Sequence, residues 1–249
     1  MKILAVIYRF LSPFFNPIWI INWIRWYIHF FKTLFEFKSK NKNFKIFNSD
    51  YFPQIFDKTD TTPMDYQYFH QQLWCFENIQ KNKPERHVDI WSTYTMSWYI
   101  SKITNAEFID IRPIEVWLNN LKIKKGSIVN IPYENDSINS LSCLHVIEHI
   151  WLWRYWDPVD PSWDEKWCKE LQRVLAKWWN LYLSTPIWKE KICFNAHRIF
   201  DPKTIVNYFD KLELIDFSII DDSWNLLENA DYKNIPDINY WLWMFLFKK

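Results

Sequence analysis

The sequence predicts an α/β protein, a doubly wound and mostly parallel sheet that closes on an antiparallel strand pair and follows a helical amino-terminal extension. Three observations predict it. From residue 85 onward, short apolar runs alternate with amphipathic ones, which implies parallel pairing through right-handed crossovers. After residue 210 two strand-like segments follow one another with no helical periodicity between them, as in an antiparallel pair at one side of a sheet. Asp89 and Asp110 end the first two expected strands, 21 residues apart. At that spacing a carboxylate can accept hydrogen bonds from the ribose hydroxyls of an adenosine-bearing cofactor.

Taken in order, residues 1–45 form an apolar extension, 46–84 a linking segment with a helix, and 85–249 the α/β domain. In the extension, Arg9 and Arg25 limit the longest uncharged run to fifteen residues, which contain Pro13 and Pro17. This is short of the ~20 residues that span a bilayer, and no small-residue cleavage site follows it. From Pro17 the apolar positions recur at helical spacing while Arg25, Lys32, Lys38 and Lys40 accumulate. Such a helix either packs on protein or lies on a membrane surface, giving peripheral contact through residues 1–40. The Lys/Asn-rich stretch KSKNKNFK at 38–45 marks a boundary.

Beyond it, RHVDI is read as a strand, SWYISKIT as a helix, AEFIDI and SIVNI as strands, and SINSLSCLH as another. DEKWCKELQRVLAK is a helix with Cys168, Leu171, Val174 and Leu175 on one face, NLYLSTP a strand, and KLELIDFSIIDD with YWLWMFLFKK the closing pair.

The composition is unusual. There are 1 glycine and 18 tryptophans in 249 residues, against roughly 17 glycines at ordinary usage. Many tryptophans fall where a chain turns, as in AKWWNLYLSTP and DDSWNLL. A left-handed residue at a helix end is nearly free for glycine and unfavourable for a bulky side chain. We therefore read most loop tryptophans as glycine positions. UGA is tryptophan in one variant genetic code and glycine in another, and the Lys, Asn, Ile, Phe and Tyr richness suits an AT-rich genome; deliberate replacement would give the same letters. Trp74, inside the helical segment YFHQQLWCF, is the best candidate for a genuine tryptophan.

Thirty basic and 29 acidic residues leave a net charge of +1, so no global field recruits nucleic acid. Cys75, Cys143, Cys168 and Cys193 lie far apart without CxxC spacing, which argues against a metal site and a secreted disulfide framework and points to the cytoplasm.

In an open α/β sheet, ligands bind beyond the carboxyl ends of the strands. There Asp89 is followed by Trp91 and Ser92, with Trp98 expected to start the next helix; as glycines, 91 and 98 would let the backbone approach a ligand. Asp110 completes the candidate cofactor set. His145, Glu148, His149 and His197 are candidate proton carriers for a hydroxyl acceptor. The connection WLWRYWDPVDP gathers Arg154, Tyr155, Asp157 and Asp160, either as a lid over an acceptor or as a self-paired surface loop. FNAHRIF adds Asn195 and Arg198, suited to a sugar or phosphate.

IPYENDSINSLSCLHVIEH and ELQRVLAKWWNLYLSTP, with Asp110 and the terminal antiparallel pair, resemble the class I S-adenosylmethionine-dependent methyltransferases. More narrowly, YFHQQL, HVDIWS, IDIRP, SLSCLHVIEHIWLWRYWDPVDP, STPIWKE, FNAHRIF and NYWLWMF together resemble the uncharacterised family called domain of unknown function 268, over roughly residues 50 to 249. The lead NPIWIINWIRWY resembles extensions before methyltransferase-like domains in surface-polysaccharide gene clusters. These resemblances imply a Rossmann-like methyltransferase-type domain, S-adenosylmethionine as cofactor and a small or glycan-related acceptor. One departure matters: six residues separate the two expected glycine positions at 91 and 98, where the superfamily places its glycines closer together. A catalytically silent scaffold of the same fold, held at the membrane by the extension, is therefore the alternative. A nicotinamide-dependent oxidoreductase is a third, disfavoured by the antiparallel ending.

Overall fold

The computed structural model describes residues 7–8, 11–12, 17–40, 45–54, 56–57, 59–152, 154–155, 164–187, 189–221, 223–234 and 241–249. The chain divides into two compact units, 1–64 and 65–249.

The first unit is built on α1 (Pro17–Lys40). One face of α1 meets aromatic side chains from the segment that follows it: Trp26 packs edge-on to Phe56 at 5.2 Å and Phe30 to Tyr51 at 6.5 Å.

The second unit opens with α2 (Tyr66–Asn82). Asp65 caps it by accepting from the backbone N–H groups of Gln67 and Tyr68, both at 3.1 Å, which satisfies two of the donors a helix start leaves open. Gln71, Trp74, Cys75 and Ile79 form its buried face. Strands β1 (Arg86–Ile90), β2 (Asn105–Asp110), β3 (Leu121–Lys125), β4 (Ile138–Leu144) and β5 (Leu175–Ile187) pair in parallel in the order β3-β2-β1-β4-β5. Between them lie α3 (Tyr94–Ile100) and α4 (Asp164–Val174). A short hairpin of β6 (Lys191–Cys193) and β7 (His197–Ile199) precedes α5 (Pro202–Tyr208). The sheet then closes through β8 (Glu213–Ile220), β9 (Leu226–Leu227) and β10 (Trp241–Lys248), with β10 antiparallel to both β5 and β8. This is the expected doubly wound α/β sheet with an antiparallel ending, and its order reverses between β1 and β4.

The middle strands carry the core. Residues 181–187 of β5 and 242–247 of β10 are buried throughout, as for strands covered on both faces. On α4, Trp167, Cys168, Leu171 and Val174 are buried, so its inward stripe follows the 3.6-residue period. Gln172 ties α4 to the end of α5, donating to Tyr208 O at 3.0 Å and accepting from Lys211 N at 3.1 Å.

Three expectations need correction, and one helix was missed. The helix read at DEKWCKELQRVLAK ends at Val174, and Leu175, expected on its inward face, begins β5. SIVNI is not a strand: the third strand is Leu121–Lys125, and 127–131 contains only a bridged turn between Ser127 and Asn130. Gly126 follows the strand where a Cβ would meet Ile109 Cγ2 at 2.6 Å, so glycine here allows the close approach of the β2 side chain. The helix read at SWYISKIT begins earlier, at Tyr94, since the Thr93 hydroxyl accepts from Met96 N and caps it. Its onset is therefore not at Trp98. The helix α5 lay hidden in the sequence, although Asp201 accepts from Lys203 N as its cap and Pro202 occupies its first turn.

Candidate functional site

The reversal between β1 and β4 leaves the carboxyl ends of three strands around one cavity of about 200 Å³. Each wall follows from a strand end.

The first wall is the loop after β1. Trp91 adopts φ 57, a conformation that sterics make uncommon for a non-glycine residue. Its backbone N–H donates to Ile109 O at 2.9 Å and its indole N–H to Gly126 O at 3.4 Å, which ties the ring to the end of β3, and Trp91 is part of the cavity lining. Ser92 is fixed from behind: its hydroxyl donates to Asp89 Oδ1 at 2.6 Å and accepts from Leu144 N at 2.9 Å. Asp89 also accepts from Ser97 at 3.1 Å and from Ser142. It has no exposed surface. Asp89 therefore positions Ser92 and does not line the cavity. Burial pushes its carboxyl up to about 6 in spite of the three hydroxyl donors.

Behind Asp89 runs a buried relay. Since Ser142 gives its proton to Asp89, its oxygen accepts from His87 Nε2 at 2.9 Å, and His87 Nδ1 then accepts from Ser140 at 2.8 Å. His87 is the neutral Nε2–H tautomer, and burial depresses it to about 3.

The second wall is the end of β2, where Asp110 accepts from Arg112 N at 2.6 Å and lines the cavity with Ile111 and Arg112.

The third wall follows β4. His145 turns with φ 55, and its N–H donates to Ser184 O of β5 at 3.0 Å. Its Nδ1 lies 2.6 Å from Glu148 Oε1, its ring stacks on Tyr68 of α2 at 5.2 Å, and its Nε2 is buried without a hydrogen-bond partner among the described residues. Glu148 is wholly buried. Burial works to raise its carboxyl, but the adjoining His145 and, farther off, His149 hold it below the usual carboxylate range. His149 Nδ1 is 2.8 Å from Ala196 O and 2.9 Å from Arg154 Nη1. Burial, with Arg154 acting the same way, lowers His149 against the pull of Glu148. Tyr155 completes the lining, its ring beneath the guanidinium groups of Arg112 at 4.9 Å and Arg154 at 5.4 Å.

Of the residues singled out from sequence, the fold brings Trp91, Ser92, Asp110, His145, His149 and Tyr155 to one cavity, with Arg154 touching its rim through His149 and Tyr155. Trp98 sits elsewhere, in the second turn of α3 beneath Lys102 at 5.3 Å. Asn195, with φ 62, turns the β6–β7 hairpin, His197 begins β7, and Arg198 is buried within β7. Burial lowers His197, partly opposed by Glu148. Asp157 and Asp160 lie outside the described residues. Arg112 and Tyr68 were not anticipated. Arg112 could have been found two residues after Asp110, whereas nothing in the sequence links Tyr68 to His145.

A larger cavity of about 600 Å³ lies near the start of β4, lined in part by Asp136, Arg173 and Lys249. Two of its cations are engaged, Lys249 with Asp136 at 2.6 Å and Arg173 with Glu170 at 2.7 Å.

The family described as "Caenorhabditis protein of unknown function, DUF268" matches residues 121–230. None of the curated proteins matches significantly. Among solved structures, a candidate sarcosine dimethylglycine methyltransferase from Galdieria sulphuraria is similar with a TM-score of 0.53 and 11% identity, over 72% of this chain and 85% of its own. The 1,6-didemethyltoxoflavin-N1-methyltransferase of Burkholderia thailandensis, solved with S-adenosylhomocysteine, gives 0.53 and 8% over 73% and 78%. The [4+2]-cyclase SpnF gives 0.52 and 9% over 72% and 81%. The chain thus has the class I methyltransferase-type α/β fold. That a cyclase shares it shows that the fold does not fix the reaction.

Proposed function

We propose that this protein is an S-adenosylmethionine-dependent methyltransferase acting on a small, hydroxyl-bearing acceptor of the glycan-related class. The observation that carries the reading is the convergence of Asp110, the Trp91–Ser92 loop and the His145–Glu148 pair on one cavity at the reversal of strand order. Asp110 is the residue that would take the ribose hydroxyls, and Ser92, held by Asp89, sets the loop over which the cofactor would lie. When bound, the cofactor supplies a methyl group already activated on a sulfonium. The chain's own part is alignment and proton removal. Glu148 holds His145 with its proton on Nδ1, so that Nε2, buried in this structure, is the atom that would take a substrate proton once it is exposed. Tyr68 fixes the plane of the imidazole.

Volume is the misfit. About 200 Å³ is small against the ~300–1,000 Å³ of ordinary ligand sites, and Trp91 is part of its lining. Glycine at 91 would open it. Trp91, Trp151, Trp178 and Trp224 all have positive φ, from 57 to 72, which supports glycine as the residue meant at these four positions. UGA codons at these sites in the source gene, with glycine in peptides of the native protein, would agree; UGG throughout would sink the recoding.

Calorimetry with S-adenosylhomocysteine tests the function. We expect micromolar binding by Trp91→Gly, lost on adding Asp110→Ala. A folded Trp91→Gly protein that binds none overturns the cofactor reading and leaves the scaffold, which the small cavity favours.

A further inference from the structure

In α1 the face opposite Trp26 and Phe30 carries Ile21, Ile24, Ile28, Phe31 and Phe35, an alternating spacing of three and four residues. They form one stripe about 21 Å long. Each is between 47% and 68% exposed. No tryptophan belongs to the stripe. Arg25 and Lys32 are exposed along one edge. Neither forms an ion pair or a side-chain hydrogen bond with a described residue, whereas Lys40 is paired with Glu36 at 2.6 Å and Lys38 reaches the Tyr51 hydroxyl.

We infer that α1 lies flat on an anionic lipid surface, its isoleucine and phenylalanine stripe in the acyl boundary and Arg25 and Lys32 at the headgroups. Charge decides between this and a second copy of the chain. The stripe has coiled-coil spacing, but in a parallel pair Ile20 and Tyr27 would face the two cations, and in an antiparallel pair Arg25 and Lys32 would face each other. The acid of α1, Glu36, is already bound to Lys40. Anionic headgroups supply the missing countercharge, each nearby cation adding affinity. Among the described residues no helix is long and apolar enough to cross a membrane. Lying on the surface is then the geometry that buries the stripe. This inference is independent of methyl transfer.

Co-sedimentation of the full chain with vesicles tests it, comparing phosphatidylglycerol mixed into phosphatidylcholine with phosphatidylcholine alone, alongside light scattering. The expected result is binding that requires the anionic lipid, falls roughly fivefold for each of Arg25→Gln and Lys32→Gln, and drops to background in Ile24→Asp/Ile28→Asp. Circular dichroism checks that the aspartate variant keeps its helix, and the glutamine variants test the charge term without touching the stripe. Equal binding to neutral vesicles, binding that survives Ile24→Asp/Ile28→Asp, or no binding with a dimer abolished by that variant would each overturn the inference. A monomer that ignores both vesicles would do the same.

Discussion

At the scale of single residues, the tryptophans fall into two physical groups. Trp178 has φ 72 and is 79% exposed, so its side chain contributes little packing while its backbone is strained. A non-glycine residue held there costs of order 1–3 kcal/mol, part of which glycine returns through the entropy of the unfolded chain. Trp178→Gly is expected to stabilise by about 1 kcal/mol, raising Tm by ~2–4 °C. Trp167 is 1% exposed and packs edge-on against Phe200 and Tyr208; Trp167→Gly should lose about 3–5 kcal/mol. Thermal melts of the pair check both, and equal effects would dissolve the distinction. Trp243 is a mixed case: it is buried among aromatic rings, yet its indole N–H has no hydrogen-bond partner among the described residues.

His87 and Asp89 give a pH prediction. Folded His87 stays neutral down to about 3, while in the unfolded chain it takes a proton near 6.5. Its contribution is therefore intact above pH 6.5 and lost as pH falls from there toward 3, on the order of 1 kcal/mol per pH unit. Asp89 works oppositely: folded it takes its proton near 6, unfolded at 3.8, so acidification through that window favours the native state. His87→Gln should be less stable than wild type at pH 7, with the gap narrowing as pH falls below 6.5. Urea titrations across that range would show it; a constant gap would mean that His87 does not titrate as described.

At the scale of elements, the caps and turns position the site. Asp65 starts α2 one turn before Tyr68, whose ring stacks on His145. Asp65→Ala should cost about 0.5–2 kcal/mol and loosen that stack, seen as a lower Tm and a shifted His145 ring signal in NMR. Gly126→Ala tests the β3 turn: the added methyl meets Ile109 and Pro132, and overpacking of this kind costs about 1–3 kcal/mol. A neutral result would mean that the turn yields. The strands β1, β2 and β4 were readable because their apolar runs are short and bounded by polar turns. The strand β3 was not, since LKIKK keeps lysines between its apolar positions, as an outer strand can.

At the scale of the whole molecule, the chain is two units, each compact in its own contacts. The fragment 65–249 contains the entire sheet and the candidate site. It should unfold in one cooperative transition with a Tm close to that of the full chain; a fragment without a transition would show that residues 1–64 are required for folding.

The sequence by itself determined the α/β class, the antiparallel ending and the carboxylate at the end of the second strand, because periodicity and spacing are local properties of the chain. It also exposed the glycine deficit, which is a matter of counting. Only the tertiary structure decided which candidates meet. It turned Asp89 inward to hold Ser92, left Trp98 on an outer helix turn, and brought Tyr68 and Arg112 to the histidine and tyrosine of the site. Those placements depend on how α2 and the strand ends pack, and such long-range contacts leave no periodic trace in the order of residues.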